Sequence, residues 1–304
     1  MTDPLETTWS PGRPVPIRLI LGALRHGGGD PTWRADDDGV WRACVTPDGA
    51  GTLNLREHRD GVRARAWGAG AAWLLAGLPE LLGGSDDPTG FTIRHDVLRE
   101  PARRHTHWRV CRSRLVIDSL VPAIIEQRVT GVQAFGAYRQ LVRRFGAPAP
   151  GPGADRGLMT PPSAADWKRI PSWEWLRAGV DPARSRTIMR AVDAAAALER
   201  AVDLPREQAW ARLRSVPGVG LWTAAETAQR ALGDADAVSF GDYHVAKDIG
   251  WALTGAPVDD VEMARLLEPY AGHRFRVQFL VSAGGLHRPR RGPRITLPGH
   301  LPVR

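Results

Sequence analysis

A chain of 304 residues with a formal charge of +8 is long enough for two domains and basic enough to favour a polyanionic partner. No window approaches the roughly 18 consecutive apolar residues of a membrane span, and the opening MTDPLETTWSPG lacks the basic start and apolar run of a secretory signal; the expectation is an intracellular, cytoplasmic protein with no membrane partner. Its two cysteines, Cys44 and Cys111, lie far apart without metal-type spacing, which excludes a four-cysteine zinc or iron–sulfur site and leaves oxygen or histidine ligands for any metal.

The first segments read as mixed structure. PIRLILGAL, WRACVTP, TLNLREH and VRARAWG are β-like, Asp48-Gly49 and Asp60-Gly61 supply turn signals, and AGAAWLLAGLPELLGG reads as an apolar helix. This predicts a small α+β domain over residues 1–92. From about Asp96 the period becomes helical: Leu115, Val116, Leu120, Ile124 and Ile125 share one face, and after a break at Thr130-Gly131 the pattern continues through Phe135, Tyr138, Leu141, Val142 and Phe145. APAPGPGADRGLMTPPS is a Pro/Gly loop. Further helices are predicted at roughly 183–201, 205–214, 222–232, 245–253, 261–267 and 274–282. The fold class is therefore mainly α, a small α+β domain followed by an all-helical domain over residues 93–285. The remainder, 286–304, is a basic Pro/Arg-rich tail, either disordered or a phosphate contact.

The chemistry concentrates in SVPGVGLWTAAETAQRALGDADAVSFGDYHVAK. One helix stops at Val216, Pro217-Gly218-Val219-Gly220 turns the chain, and a second helix starts at once. Such a turn presents backbone N–H groups at a fresh helix N-terminus, where a phosphate oxygen is favoured by hydrogen bonds and the helix dipole. By itself the Gly-x-Gly turn is equally a tight helix–helix connection. Trp222 and, further on, GDYHVAK add to it.

Together, VPGVGLWTA and GDYHVAK resemble the helix-hairpin-helix DNA glycosylase superfamily, and specifically its 3-methyladenine DNA glycosylase II branch. LVPAIIEQRVTGVQAFGAYRQLVRRFG is similar to the family's helix-break-helix, and PIRLILGAL to its amino-terminal domain, so the resemblance spans nearly all of the chain except its last residues. It implies a two-lobed helical domain, double-stranded DNA with a damaged base as partner, a monomer working on bacterial nucleoid DNA, and no required cofactor. The catalytic aspartate falls on Asp242. Breaking an N-glycosidic bond builds positive charge on the sugar, which a carboxylate stabilises; an aspartate before a helix is otherwise a cap. Asp234, Asp236 and Asp248 lack the match and are expected at the surface or in loops.

The resemblance also implies that Gly218, Val219 and Gly220 contact DNA, with Gln127 and Arg128 at the helix break as the wedge that replaces a flipped-out base. The carbonyls of Arg214, Val216 and Val219 would hold an alkali ion, Na+ or K+. Some relatives carry a catalytic lysine where this chain has Trp222. All but two of the 41 basic residues are arginine, and the two lysines, Lys168 and Lys247, lie elsewhere, which predicts phosphate-binding or solvated roles for them and a monofunctional enzyme. The family's aromatic pocket keeps Trp222 and Tyr243 but has Ala23, Glu226 and His273 in place of larger rings. Glu226 then attracts a cationic base, accepts hydrogen bonds, or is a solvated helix residue. Two alternatives stay open: a glycosylase for neutral deaminated or bulky bases such as hypoxanthine, with Glu226 or His273 protonating the leaving group, and a non-catalytic damage binder.

Overall fold

The computed structural model describes residues 3–59 and 61–289. Asp60, and with it half of the Asp60-Gly61 turn signal, and the basic tail beyond residue 289 lie outside the described residues.

The chain begins with β1 (Leu5–Trp9), α1 (Ile17–Leu21), β2 (Trp33–Asp36), β3 (Gly39–Thr46), β4 (Gly49–His58) and β5 (Gly61–Trp67). The strands form one antiparallel sheet in the order β1-β5-β4-β3-β2. PIRLILGAL is a correction: it forms α1 and a following 3-10 turn, not a strand. Ile17, Ile20, Leu21 and Leu24 are its buried residues, and their i, i+3, i+4, i+7 spacing is the helical period. β1 and β2 carry no alternation strong enough to announce them, and the sequence reading passes over both.

Both faces of the sheet are covered. Val40, Cys44, Leu53, Leu55, Val62, Ala64 and Ala66 point into a core shared with α1 and Trp108, while Trp41, Ala43 and Trp67 on the other face meet Ala149 and Leu158. The Pro/Gly loop thus has a job: after α2 (Ala71–Ala76), α3 (Leu78–Leu81), α4 (Arg99–Arg104), α5 (Val116–Ile125) and α6 (Gly131–Phe145), it forms β6 (Ala147–Pro148), α7 (Pro152–Asp155) and β7 (Met159–Thr160), which lie over the sheet. The apolar helix expected at residues 69–84 is two short helices, broken at Gly77. Buried Arg42 of β3 pairs with Asp118 of α5 and ties the sheet to the helices.

The remaining helices are α8 (Ala164–Arg169), α9 (Ser172–Arg177), α10 (Pro182–Asp193), α11 (Ala195–Glu199), α12 (Arg206–Arg214), α13 (Leu221–Thr227, prolonged by a π-helical turn over Ala228–Leu232), α14 (Val245–Thr254), α15 (Asp260–Leu267) and α16 (Arg274–Ala283). They bury two separate cores. One gathers Leu120, Ile124, Trp175, Ile188 and Leu213 from α5 to α13. The other gathers Ile249, Met263, Leu267, Val277 and Leu280 with Leu98 from just before α4. The chain therefore lays residues 96–104 on the second lobe, crosses to build the first, and returns through residues 238–244. That return segment carries the candidate catalytic aspartate.

Candidate active site

α12 ends at Arg214, and the turn that follows is closed by Val219 N donating to Val216 O at 3.0 Å. Gly218 sits at φ +102°, and a Cβ there would lie 2.2 Å from Thr187 Oγ1, so both backbone and packing demand glycine. Gly220 is different. Its φ of −88° suits any residue and a Cβ would meet nothing within 4 Å, so what glycine leaves at this position is open backbone at the start of α13. The turn is braced from both sides: Gln127 Nε2, just beyond α5, donates to Gly218 O at 3.0 Å and to Thr223 Oγ1 at 2.8 Å, and Arg190 Nη1 reaches Pro217 O at 3.4 Å. Gln127 is thus a strut between helix break and hairpin.

Asp242 follows Gly241, whose φ is +84° and whose N–H donates to Asp260 Oδ2 at 2.8 Å. Its two carboxylate oxygens have different partners. Oδ1 accepts from His244 N at 2.7 Å and Val245 N at 3.1 Å, which caps α14; Oδ2 accepts from the indole Nε1 of half-buried Trp222 at 3.2 Å. Cap and hairpin-linked carboxylate are therefore one residue, and the cap rigidly orients the oxygen that faces Trp222.

Glu226 lies one turn beyond Trp222 and Arg230 one turn beyond Glu226. Glu226 is only 8% exposed, so it is not a solvated helix residue, one of the three roles the sequence left open. Its Oε2 pairs with Arg230 Nη1 at 2.6 Å and its Oε1 accepts from Ser239 Oγ. Arg230 also donates to the Ala23 carbonyl at 2.8 Å, which explains how Ala23 joins this wall: through its backbone. Burial alone would lower the Arg230 guanidinium; the adjacent Glu226 and Glu126 carboxylates outweigh it and hold the group above its ordinary value. Ser239 in turn accepts from Gln229 Nε2 at 3.0 Å and Gln278 Nε2 at 2.9 Å, and its carbonyl accepts from Asp242 N at 3.2 Å. A buried polar network thus fixes the segment that carries Asp242.

The other expected positions separate. Tyr243 is 70% exposed, with Lys247 Nζ 3.8 Å from its ring centroid, so both sit at the rim. His273 belongs to the second lobe, edge-on to Phe91 at 5.8 Å and accepting from Arg276 Nε at 3.2 Å. Arg128 is exposed between α5 and α6 with φ +57°, a left-handed conformation uncommon outside glycine. Lys168 pairs with Asp193. Asp234 and Asp236 lie in the loop after the π-helical turn, as expected, where Asp234 accepts from Arg206 Nε and Trp210 Nε1, both at 2.8 Å, and Asp236 pairs with Arg274; Asp248 departs from the expectation, being buried on α14 beside His287. Each has become a structural ion pair or hydrogen bond. Arg230, Ser239, Glu126 and His26 were not singled out from the sequence; the i, i+4 spacing of Glu226 and Arg230 was the one available signal. Both cysteines are buried, and burial pushes their thiols up to about 11.

No protein-family model and no curated protein matches the chain. Among solved structures it is similar to the 3-methyladenine DNA glycosylase from Archaeoglobus fulgidus, with a TM-score of 0.73 and 18% identity over 91% of this chain and 96% of that one. It is also similar to the 8-oxoguanine glycosylase/lyase from Clostridium acetobutylicum in complex with double-stranded DNA containing cytosine opposite 8-oxoguanine, with a TM-score of 0.65 and 12% identity over 94% and 98% of the two chains. The 3-methyladenine DNA glycosylase of Schizosaccharomyces pombe in complex with abasic DNA aligns with a TM-score of 0.50 and 16% identity over 62% of this chain and 90% of that one. The fold is that of the DNA glycosylases.

Proposed function

We propose that the chain is a monofunctional DNA glycosylase of base excision repair, binding duplex DNA and hydrolysing the N-glycosidic bond of a flipped-out, alkylated purine. The observation that carries this reading is the hydrogen bond from Trp222 Nε1 to Asp242 Oδ2, which joins the hairpin helix to a carboxylate between the two helical lobes. As the base departs, positive charge grows on the sugar, and a preoriented carboxylate stabilises it or directs water toward it. The open backbone at Gly220 suits a DNA phosphate, and Arg128, strained and exposed at the helix break, suits the gap that the flipped nucleotide leaves. The carbonyls of Arg214, Val216 and Val219 are neutral oxygens of the kind an alkali ion takes. Gln127 and Arg190 bond the neighbouring carbonyls of Gly218 and Pro217, and the Val216 carbonyl, which accepts from Val219 N, keeps one lone pair; the three carbonyls would hold Na+ or K+, which would add positive charge beside the phosphate.

Two further choices follow from partners. Trp222 stands where a lyase would carry its amine, Lys168 is paired with Asp193, and Lys247 lies over Tyr243, which supports hydrolysis without strand cleavage. A neutral leaving base needs protonation, but the Glu226 carboxylate is bonded to Arg230 and His273 is engaged by Arg276 in the second lobe, which favours a base that is already cationic. Among the described residues no helix is long and apolar enough to cross a membrane. The test is release of bases from a panel of duplexes containing 7-methylguanine, 3-methyladenine, hypoxanthine or 8-oxoguanine, read with and without alkali. Alkali-dependent breaks at alkylated purines are expected; strand breaks without alkali, or no release from any duplex, would reject the reading.

A further inference from the structure

The ion pair between Glu226 and Arg230 cancels the charge that the sequence offered for recognition of a base, and a different carboxylate stands beside it. Glu126 ends α5 immediately before Gln127, whose amide bonds Gly218 and Thr223 and so seats the end of α5 against the first turn of α13. Glu126 Oε1 lies 3.5 Å from His26 Nδ1. His26 is held in turn by its own N–H donating to Asp30 Oδ2 at 2.7 Å and by the Tyr138 ring of α6, centroids 4.5 Å apart.

The charged groups around Glu126 are accounted for. Arg230 faces it from the π-helical turn but bonds Glu226 and the Ala23 carbonyl; Asp30 is engaged with His26 and Thr32; Arg42 and Asp118, near Tyr138, neutralise one another; Arg25 lies over the Trp33 ring at 5.0 Å. Burial alone would raise the Glu126 carboxyl, yet the His26 hydrogen bond, with the charges of Arg230 and His26, holds it below its ordinary value, so it is an anion at neutral pH. Nor is the cluster sealed. Glu126 and Arg230 each keep 19% of their side-chain surface exposed, and Glu226 keeps 11%.

Trp222, Glu226 and Arg230 form one helical row, and Glu126 and His26 flank it from α5 and the segment after α1. We infer that Glu126 is the specificity-determining carboxylate of the base pocket, selecting positively charged purines over neutral ones. The inference rests on the glycosylase reading for the identity of the pocket. Its physical basis is that a carboxylate shielded from bulk water attracts a cationic ring more strongly than an exposed one, and leaves a neutral ring of similar shape unrewarded.

The experiment compares wild type, Glu126→Gln and Glu126→Asp in two measurements. One is equilibrium binding of duplexes carrying 2′-fluoro-stabilised 7-methylguanine or unmodified guanine; the other is single-turnover release of 7-methylguanine and of hypoxanthine. Glu126→Gln should lower the preference for 7-methylguanine about tenfold in both, with hypoxanthine release and guanine-duplex binding unchanged, and Glu126→Asp should retain the preference. Equal losses on both substrates, or no loss on either, would overturn the assignment, as would a wild type with no preference for the methylated duplex. A wild type that prefers the methylated duplex but releases no base would end the glycosylase reading and leave the selectivity of Glu126 standing. Should Glu126→Gln fail to fold, Glu126→Met makes the same comparison with a side chain of similar length and no charge.

Discussion

The indole N–H of Trp222 donates to Oδ2 of Asp242 at 3.2 Å, while Oδ1 of the same carboxylate caps α14 through His244 and Val245. One oxygen anchors, and the other is oriented by an aromatic side chain from the hairpin helix. The first prediction follows. Asp242→Asn keeps an oxygen for the cap but removes the charge, so duplex binding should stay near wild type while single-turnover base release falls about 100-fold or more. Wild-type turnover in this variant would end the catalytic assignment.

The two hairpin glycines should fail differently. Gly218→Ala forces a side chain into a left-handed backbone and onto Thr187, and should cost about 2 kcal/mol of stability in denaturant unfolding. Gly220→Asp meets open space, so stability should hold; its negative charge should weaken DNA binding and flatten the salt dependence. Unchanged binding across salt would remove the turn from the DNA interface.

Glu226→Gln leaves the Arg230 guanidinium without its carboxylate in a nearly closed site. Stability should fall by about 3 kcal/mol, and Glu226→Gln combined with Arg230→Met should recover most of it. Denaturant melts of the two single variants and the double variant decide; a stable Glu226→Gln would show that the pair is exposed to solvent in solution.

Borohydride treatment of the protein on lesion-containing duplex should trap no covalent adduct, because Trp222 has no amine and Lys168 is ion-paired. An adduct mapped to Lys247 by mass spectrometry would reverse the monofunctional assignment.

Thiol reactivity tests the fold's interior. Cys44 and Cys111 have thiols raised to about 11 by burial, so between pH 8 and 9 both remain protonated and enclosed in the folded chain, whereas unfolded thiols ionise there. Native protein should titrate close to zero fast-reacting thiols at pH 8.5 and two in denaturant. Because a raised acid pKa favours the folded state only while the thiol keeps its proton, this contribution to stability should be present below about pH 9 and lost as pH rises toward 11.

Much of this was legible in the linear pattern. The helices expected at 205–214, 222–232, 245–253, 261–267 and 274–282 fall close to those bounds, the one expected over 183–201 is divided at Ala194 into α10 and α11, and the break before α6 is a capping box between Thr130 and Gln133. These are local signals: each depends on residues a few positions apart, whose spacing alone selects a helix, a cap or a turn. α1 was misread because a short apolar run carries too few periods to distinguish helix from strand. Glu226 was the more instructive case. Its charge, its exposure and its hydrogen bonds were all open in the sequence, since nothing local says whether a helical glutamate meets water or a partner. Its neighbour Arg230 was one turn away, but Ser239, the Ala23 carbonyl and the flanking Glu126 and His26 arrive from distant parts of the chain. The linear order supplied the chemical groups and their local spacing. Tertiary packing set which of those charges are paired and with what, because in a site withdrawn from water a charge is set by the groups within a few ångströms, whatever their distance along the chain.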